Sequence, residues 1–97
     1  MLGLKKKVAA GIATGVMSVA MASPALAVVT YVEGGTWDHG ENNSIVWSYY
    51  YHPNNNHKSS VKTNQVYPSG CTSPGYYSYA SAASRFWSVD YSYYGFC

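Results

Sequence analysis

The stretch from Gly34 to His57, G-G-T-W-D-H-G-E-N-N-S-I-V-W-S-Y-Y-Y-H-P-N-N-N-H, decides the fold class. Ile45, Trp47, Tyr49 and Tyr51 alternate with Val46, Ser48, Tyr50 and His52, the period of two that sends successive side chains to opposite faces of a strand. Pro53-Asn54-Asn55-Asn56 then supplies turn chemistry, Pro by fixing its own φ and Asn by tolerating positive φ. A return strand over 59–67 is expected to pair with the first as a hairpin. Working outward, Val28 to Glu33 is rich in β-formers, and Pro68-Ser69-Gly70 and Ser73-Pro74-Gly75 are loops around Cys71. Trp87, Val89, Tyr91 and Tyr93 alternate with Ser88, Asp90 and Ser92 as a strand buried on one face. Only 79–84, rich in Ala and Ser, reads as a short helical turn. Short strands with Gly, Pro and Asn punctuation predict an all-β fold, a small antiparallel β-sandwich of two roughly three-stranded sheets.

Residues 1–27 read as a secretory signal preceding that fold. Lys5, Lys6 and Lys7 form a positive start, Val8 to Ala22 is apolar, Ser23-Pro24 breaks any helix, and Ala25-Leu26-Ala27 is a cleavage signal. Cleavage is expected after Ala27, the alternative being an uncleaved membrane anchor. The secreted part is then one domain, 28–97. It carries Lys58, Lys62 and Arg85 against Glu33, Asp38, Glu41 and Asp90, a net charge of −1, so the basic balance of the whole chain belongs to the leader. Three scattered cations lack the Lys/Arg cluster that nucleic acid or a generic anionic membrane requires, so neither is expected as a partner.

A seventy-residue domain is marginally stable unless it is stapled or associates. Every Trp, Tyr and Phe lies after Ala27, and each buries roughly 150–250 Å². Cys71 and Cys97, in an exported chain, are expected to form a disulfide; two free thiols or a pair between chains are the alternatives. Closing that loop stabilises by about 3.5 kcal/mol on the chain-entropy model.

Catalysis finds no footing: no Ser sits in a G-x-S-x-G elbow, the cysteines are accounted for, and the carboxylates are few. The chain reads as a non-enzyme without cofactor. His39, His52 and His57 with Asp38 and Glu41 have the chemistry of metal ligands, yet His52-P-N-N-N-His57 fits no helical pair and Pro53 forbids a helix. His52 and His57 are instead expected to close a loop by hydrogen bonding, and no metal is assigned. Binding is the stronger idea. Tyr50 must face away from Tyr49 and Tyr51, so at least one face of that strand turns an aromatic outward. Gly34-Gly35 suits either a backbone cradle for an anion or an ordinary turn, and the turn is the simpler reading. The candidate ligand-binding set is Gly34, Gly35, Thr36, Trp37, His39, Trp47, Tyr49, Tyr50, Tyr51, His52 and His57.

G-G-T-W-D-H-G at Gly34 to Gly40, W-S-Y-Y-Y-H-P at Trp47 to Pro53, and His57 just before the next strand resemble the lactococcin 972 family of bacteriocins. Gly34, Gly35, Thr36, Trp37, Gly40, Ser48, Tyr49, Tyr51, His52, Pro53 and His57 carry the motif, and the chain departs from the pattern in its cysteines and tyrosine-heavy tail. The resemblance implies a secreted β-sandwich able to form a homodimer. It also implies inhibition of related bacteria by binding the cell-wall precursor lipid II, or another cell-envelope component, and blocking septum formation without pores or turnover. Producers are expected to carry a membrane-protein and ABC-transporter immunity system. The rival readings are a non-toxic carbohydrate- or surface-binding module and a membrane-disrupting peptide.

Overall fold

The computed structural model describes residues 8–9 and 26–97. The expected leader over 1–27 lies outside them apart from Val8, Ala9, Leu26 and Ala27. The described residues form strands and no helix: β1 (Val8–Ala9), β2 (Leu26–Val32), β3 (Gly35–Glu41), β4 (Ile45–Tyr51), β5 (His57–Lys62), β6 (Val66–Pro68), β7 (Tyr77–Ala83) and β8 (Tyr91–Phe96). The all-β reading holds, with a larger sheet than expected. One antiparallel sheet has four strands in the order β2-β3-β4-β7, and the other is β8-β5-β6 with the two-residue β1 on the outer edge of β8.

Local chemistry explains the hairpins of the larger sheet. Val32 pairs with Gly35 across a two-residue turn in which Glu33 (φ 49°) and Gly34 (φ 87°) both have positive φ, the geometry that matches strand twist. Between β3 and β4 the Asn42 side chain accepts from the backbone N–H groups of Ser44 (2.7 Å) and Ile45 (2.8 Å), mimicking a backbone turn.

Three expectations are corrected. The return strand does not pair with β4, because β7 occupies that edge, while β5 crosses to the second sheet and pairs with β8 and β6. His52 directs the crossing: its Nδ1 accepts from the N–H groups of Asn54 (3.1 Å) and Asn55 (3.0 Å), so its Nε2–H donates to Glu33 O at 2.9 Å. The Ala/Ser segment at 79–84 is strand rather than helical turn. Its small residues Ser78, Ala80 and Ala82 face inward, where β5 packs close against β7. The last strand begins at Tyr91 and not at Trp87, because Asp90 accepts from the Arg85 backbone N–H (2.8 Å) and Nε (2.7 Å), folding 85–90 into a loop.

The sheets pack around two small apolar clusters. Trp37, Tyr50 and Tyr94 form one with Val32 and Phe96, and Val46, Val61 and Ala80 form the other with Tyr67 and Ala82. Serines join the layers. Ser48 Oγ donates to Tyr93 O (2.6 Å) and Ser92 Oγ to Trp47 O (2.9 Å), while the Ser59 and Ser78 hydroxyls meet at 2.7 Å. These short hydroxyls satisfy buried carbonyls at the small separation a thin sandwich imposes. Cys71 and Cys97 form an intrachain disulfide with Cα atoms 5.9 Å apart, tying the loop after β6 to the end of β8. It closes the sandwich end where the backbones of His57 and Thr72 exchange hydrogen bonds of 3.0 and 2.7 Å.

Candidate functional site

The triple tyrosine is divided by the pleat. Tyr50 points between the sheets with no exposure; its hydroxyl donates to Val32 O at 2.9 Å, and burial pushes its pKa up to about 12. Tyr49 and Tyr51 point to the outer face of the larger sheet, and the strand register builds that face in rows. Tyr31, Thr36, Tyr51 and Tyr77 form one row, and Val29, Asp38, Tyr49 and Tyr79 the next. Ala27, Gly40, Trp47 and Ser81 form the third.

Ring contacts make the rows continuous. Tyr49 meets Tyr79 edge-on at 4.9 Å, Tyr51 lies 5.5 Å from Tyr77, Tyr77 stacks on Tyr79 at 5.8 Å, and Trp47 is 6.5 Å from Tyr49. Tyr31 is 80% exposed and Tyr79 63%, whereas Trp47 is nearly covered. Asp38 is the only charged side chain in these rows, and it accepts from Trp47 Nε1 at 3.0 Å. The Tyr77 phenol titrates above its ordinary range, chiefly through burial and then through the charge of Asp38. The face therefore offers apolar ring surfaces, phenolic hydroxyls and one carboxylate acceptor, with no cation. That combination suits a neutral, hydroxyl-rich ring such as a sugar, whose C–H face lies on an aromatic ring while its hydroxyls find acceptors.

The candidate set named from sequence thus separates in space. Thr36, Trp47, Tyr49 and Tyr51 lie together on the outer face. Trp37, His39, Tyr50, His52 and His57 are buried in the inter-sheet layer. Trp37 donates from its indole N–H to Ser48 Oγ at 2.8 Å, and His39 stacks on it at 3.7 Å. His57 sets Nδ1 against Asn55 O (2.8 Å) and Nε2 against Tyr76 O (2.7 Å), tying the β4–β5 crossing to the start of β7. The two histidines do fasten the loop between them, although no hairpin forms there. Gly34 is in the β2–β3 turn and Gly35 directly follows it; a Cβ at Gly35 would strike Tyr51 O and come within 2.8 Å of the Tyr50 ring. Among the described residues no three His, Cys, Asp or Glu side chains converge as a metal site.

Sequence reasoning missed Tyr31, Tyr77 and Tyr79 and gave Asp38 a different role. The available signal was the alternation Tyr77-Ser78-Tyr79-Ala80, which has the same period as β4. A concavity of about 460 Å³ opens away from that face, at the disulfide end between Asn54, Asn55, Asn56, Pro74, Phe96 and Cys97. It is lined mainly by amides and offers less ring surface than the sheet.

No curated protein and no solved structure matches the chain significantly. A family model described as bacteriocin (Lactococcin_972) does match, over residues 33–94. That span begins in the turn ahead of β3, contains every residue of β3, β4 and β7 that builds the aromatic face, and ends at the buried Tyr94. On this match over most of its length, the chain belongs to the lactococcin 972 family of bacteriocins.

Proposed function

We propose that the chain is a secreted bacteriocin that binds lipid II through the outer face of the β2-β3-β4-β7 sheet and so blocks septum formation in related bacteria. One observation carries this reading: the rows around Asp38 expose tyrosines on a face without a cation, and most of that face is built by the family-matched segment. The chemistry selects a part of the ligand. A carboxylate among phenols repels pyrophosphate and favours the neutral disaccharide, so the sugars lie on Tyr49, Tyr79 and Tyr77 with Asp38 accepting from a sugar hydroxyl. Inhibition follows from occupying the precursor, without turnover. A producer is protected by a membrane-protein and ABC-transporter immunity system.

The test is binding of the secreted protein to lipid II in nanodiscs against empty nanodiscs. The expected result is specific binding that weakens at least tenfold in a folded Tyr49→Ala/Tyr79→Ala variant, accompanied by loss of septal arrest under the microscope. Equal affinity of the variant would remove the face from the account. Binding to polymeric glycans with no preference for lipid II would identify a carbohydrate-binding module instead.

A further inference from the structure

The loop between β7 and β8 is unlike the others. Phe86 is 94% exposed, Trp87 69% and Val89 51%, and the two rings meet edge to face at 4.9 Å. Their support is firmly fastened. Arg85 donates from its backbone N–H and Nε to Asp90 and from Nη2 to Val89 O at 2.8 Å, and Ser84 Oγ donates to Asn42 O at 2.9 Å. The apolar tip thus stands on a polar, internally bonded base. Neighbouring charge has one net sign. Lys62 is exposed and paired with Tyr91 beside this base, so this end holds two of the three cations of residues 28–97. Asp90 is paired with Arg85 at 2.7 Å. The Glu41 carboxyl, half-buried and hydrogen-bonded to Asp90, is held up to about 8 and so stays mostly uncharged at neutral pH.

We propose that the Phe86-Trp87 tip is a membrane-interface anchor that seats this end of the sandwich on an anionic bilayer. Trp and Phe belong at the boundary between headgroups and acyl chains, where an apolar ring enters lipid and a polar edge stays wet. The low cation count excludes adsorption driven by charge alone; here the rings supply insertion, while Lys62 and the protonated Glu41 leave the end free of net repulsion from anionic headgroups. The strands also give the anchor a direction. β4 begins at Ile45, paired with Ala83 immediately before the loop, so Trp47, then Tyr49 with Tyr79, then Tyr51 with Tyr77 rise from the anchored end at about 6.8 Å per row. Resting on the function proposed above, this sets the aromatic face alongside a headgroup that projects from the same bilayer.

The test uses protein recovered from culture medium, its N-terminus fixed by intact mass, and vesicles of phosphatidylglycerol and phosphatidylcholine without lipid II. Wild-type protein is expected to co-sediment with the vesicles, shift its tryptophan emission to the blue, and be quenched by lipids brominated near the headgroup, with entrapped dye retained. A Phe86→Ser/Trp87→Ser variant with an unchanged thermal midpoint should lose at least tenfold in partitioning, and Lys62→Gln about fivefold. Equal partitioning of the double variant, no partitioning of wild type, dye release, or self-association abolished by the double variant would each overturn the anchor. Because lipid II is absent, failure here leaves the sugar-binding face to be judged on nanodisc binding alone.

Discussion

Replacing Tyr50 and replacing Tyr79 should separate stability from binding, although both are tyrosines of the same sheet. Tyr50 is fully buried, with its ring 4.7 Å from Tyr94, 5.6 Å from His57 and 6.0 Å from Phe96. Truncation to Ala removes an aromatic from a small core, about 3–5 kcal/mol. It also strips Val32 O of the hydroxyl that donates to it at 2.9 Å, about 1 kcal/mol more. A domain of this size has only about 4–10 kcal/mol of stability in total. Tyr50→Ala should therefore be largely unfolded at 37 °C. Tyr79 is 63% exposed and loses its edge-on contact with Tyr49 and its stack on Tyr77, both at the surface, so Tyr79→Ala should cost only about 1 kcal/mol. Urea unfolding followed by tryptophan fluorescence measures both. A folded Tyr50→Ala losing less than about 1 kcal/mol, or a Tyr79→Ala as damaging as Tyr50→Ala, would refute the assignment of inner and outer faces.

Other perturbations follow from the same geometry. Cys71→Ser/Cys97→Ser opens a loop spanning 26 positions and should cost about 3.5 kcal/mol, lowering the thermal midpoint by roughly 15–25 °C in a calorimetric scan. Glu41 holds its proton to about pH 8 in the folded state against 4.5 ordinarily, so its contribution to stability is complete below pH 4.5 and lost as pH rises to 8. Discounted for its partial exposure, Glu41→Gln should flatten the pH dependence of urea unfolding across that window by about 1–2 kcal/mol. Gly35→Ala forces a methyl against Tyr51 O and the Tyr50 ring, and its urea midpoint should show a loss of at least about 2 kcal/mol.

Much of the fold could be read from residue alternation, because a period of two survives any tertiary context. The β4 pattern from Ile45 to Tyr51 gave the strand, its two faces and the opposite directions of Tyr49 and Tyr50, but not which of the two is buried. Pairing was harder to read, since it depends on contacts distant in the chain. Nothing local announces that β7 will take the free edge of β4, or that His52 will bend the chain toward the other sheet. The Ala/Ser run misled for a physical reason: Ala favours helix locally, but here small residues are required where β5 approaches β7. Trp87 misled through a pattern that was real but interrupted, because Arg85 and Asp90 close a loop across it. The composition of the candidate face was half legible. Thr36, Trp47, Tyr49 and Tyr51 came from the motif, while their neighbours Tyr31, Tyr77 and Tyr79 are brought in by strand register alone.

The most direct test of the central claim is a residue-resolved map of contact: amide chemical-shift changes of the labelled protein on addition of lipid II. The account predicts the largest changes along β4 and β7 at Tyr49, Tyr51, Tyr77 and Tyr79 and at Asp38, with Asn54, Asn55 and Asn56 unmoved. Changes centred on the asparagine-lined cleft, with the tyrosine rows silent, would contradict it.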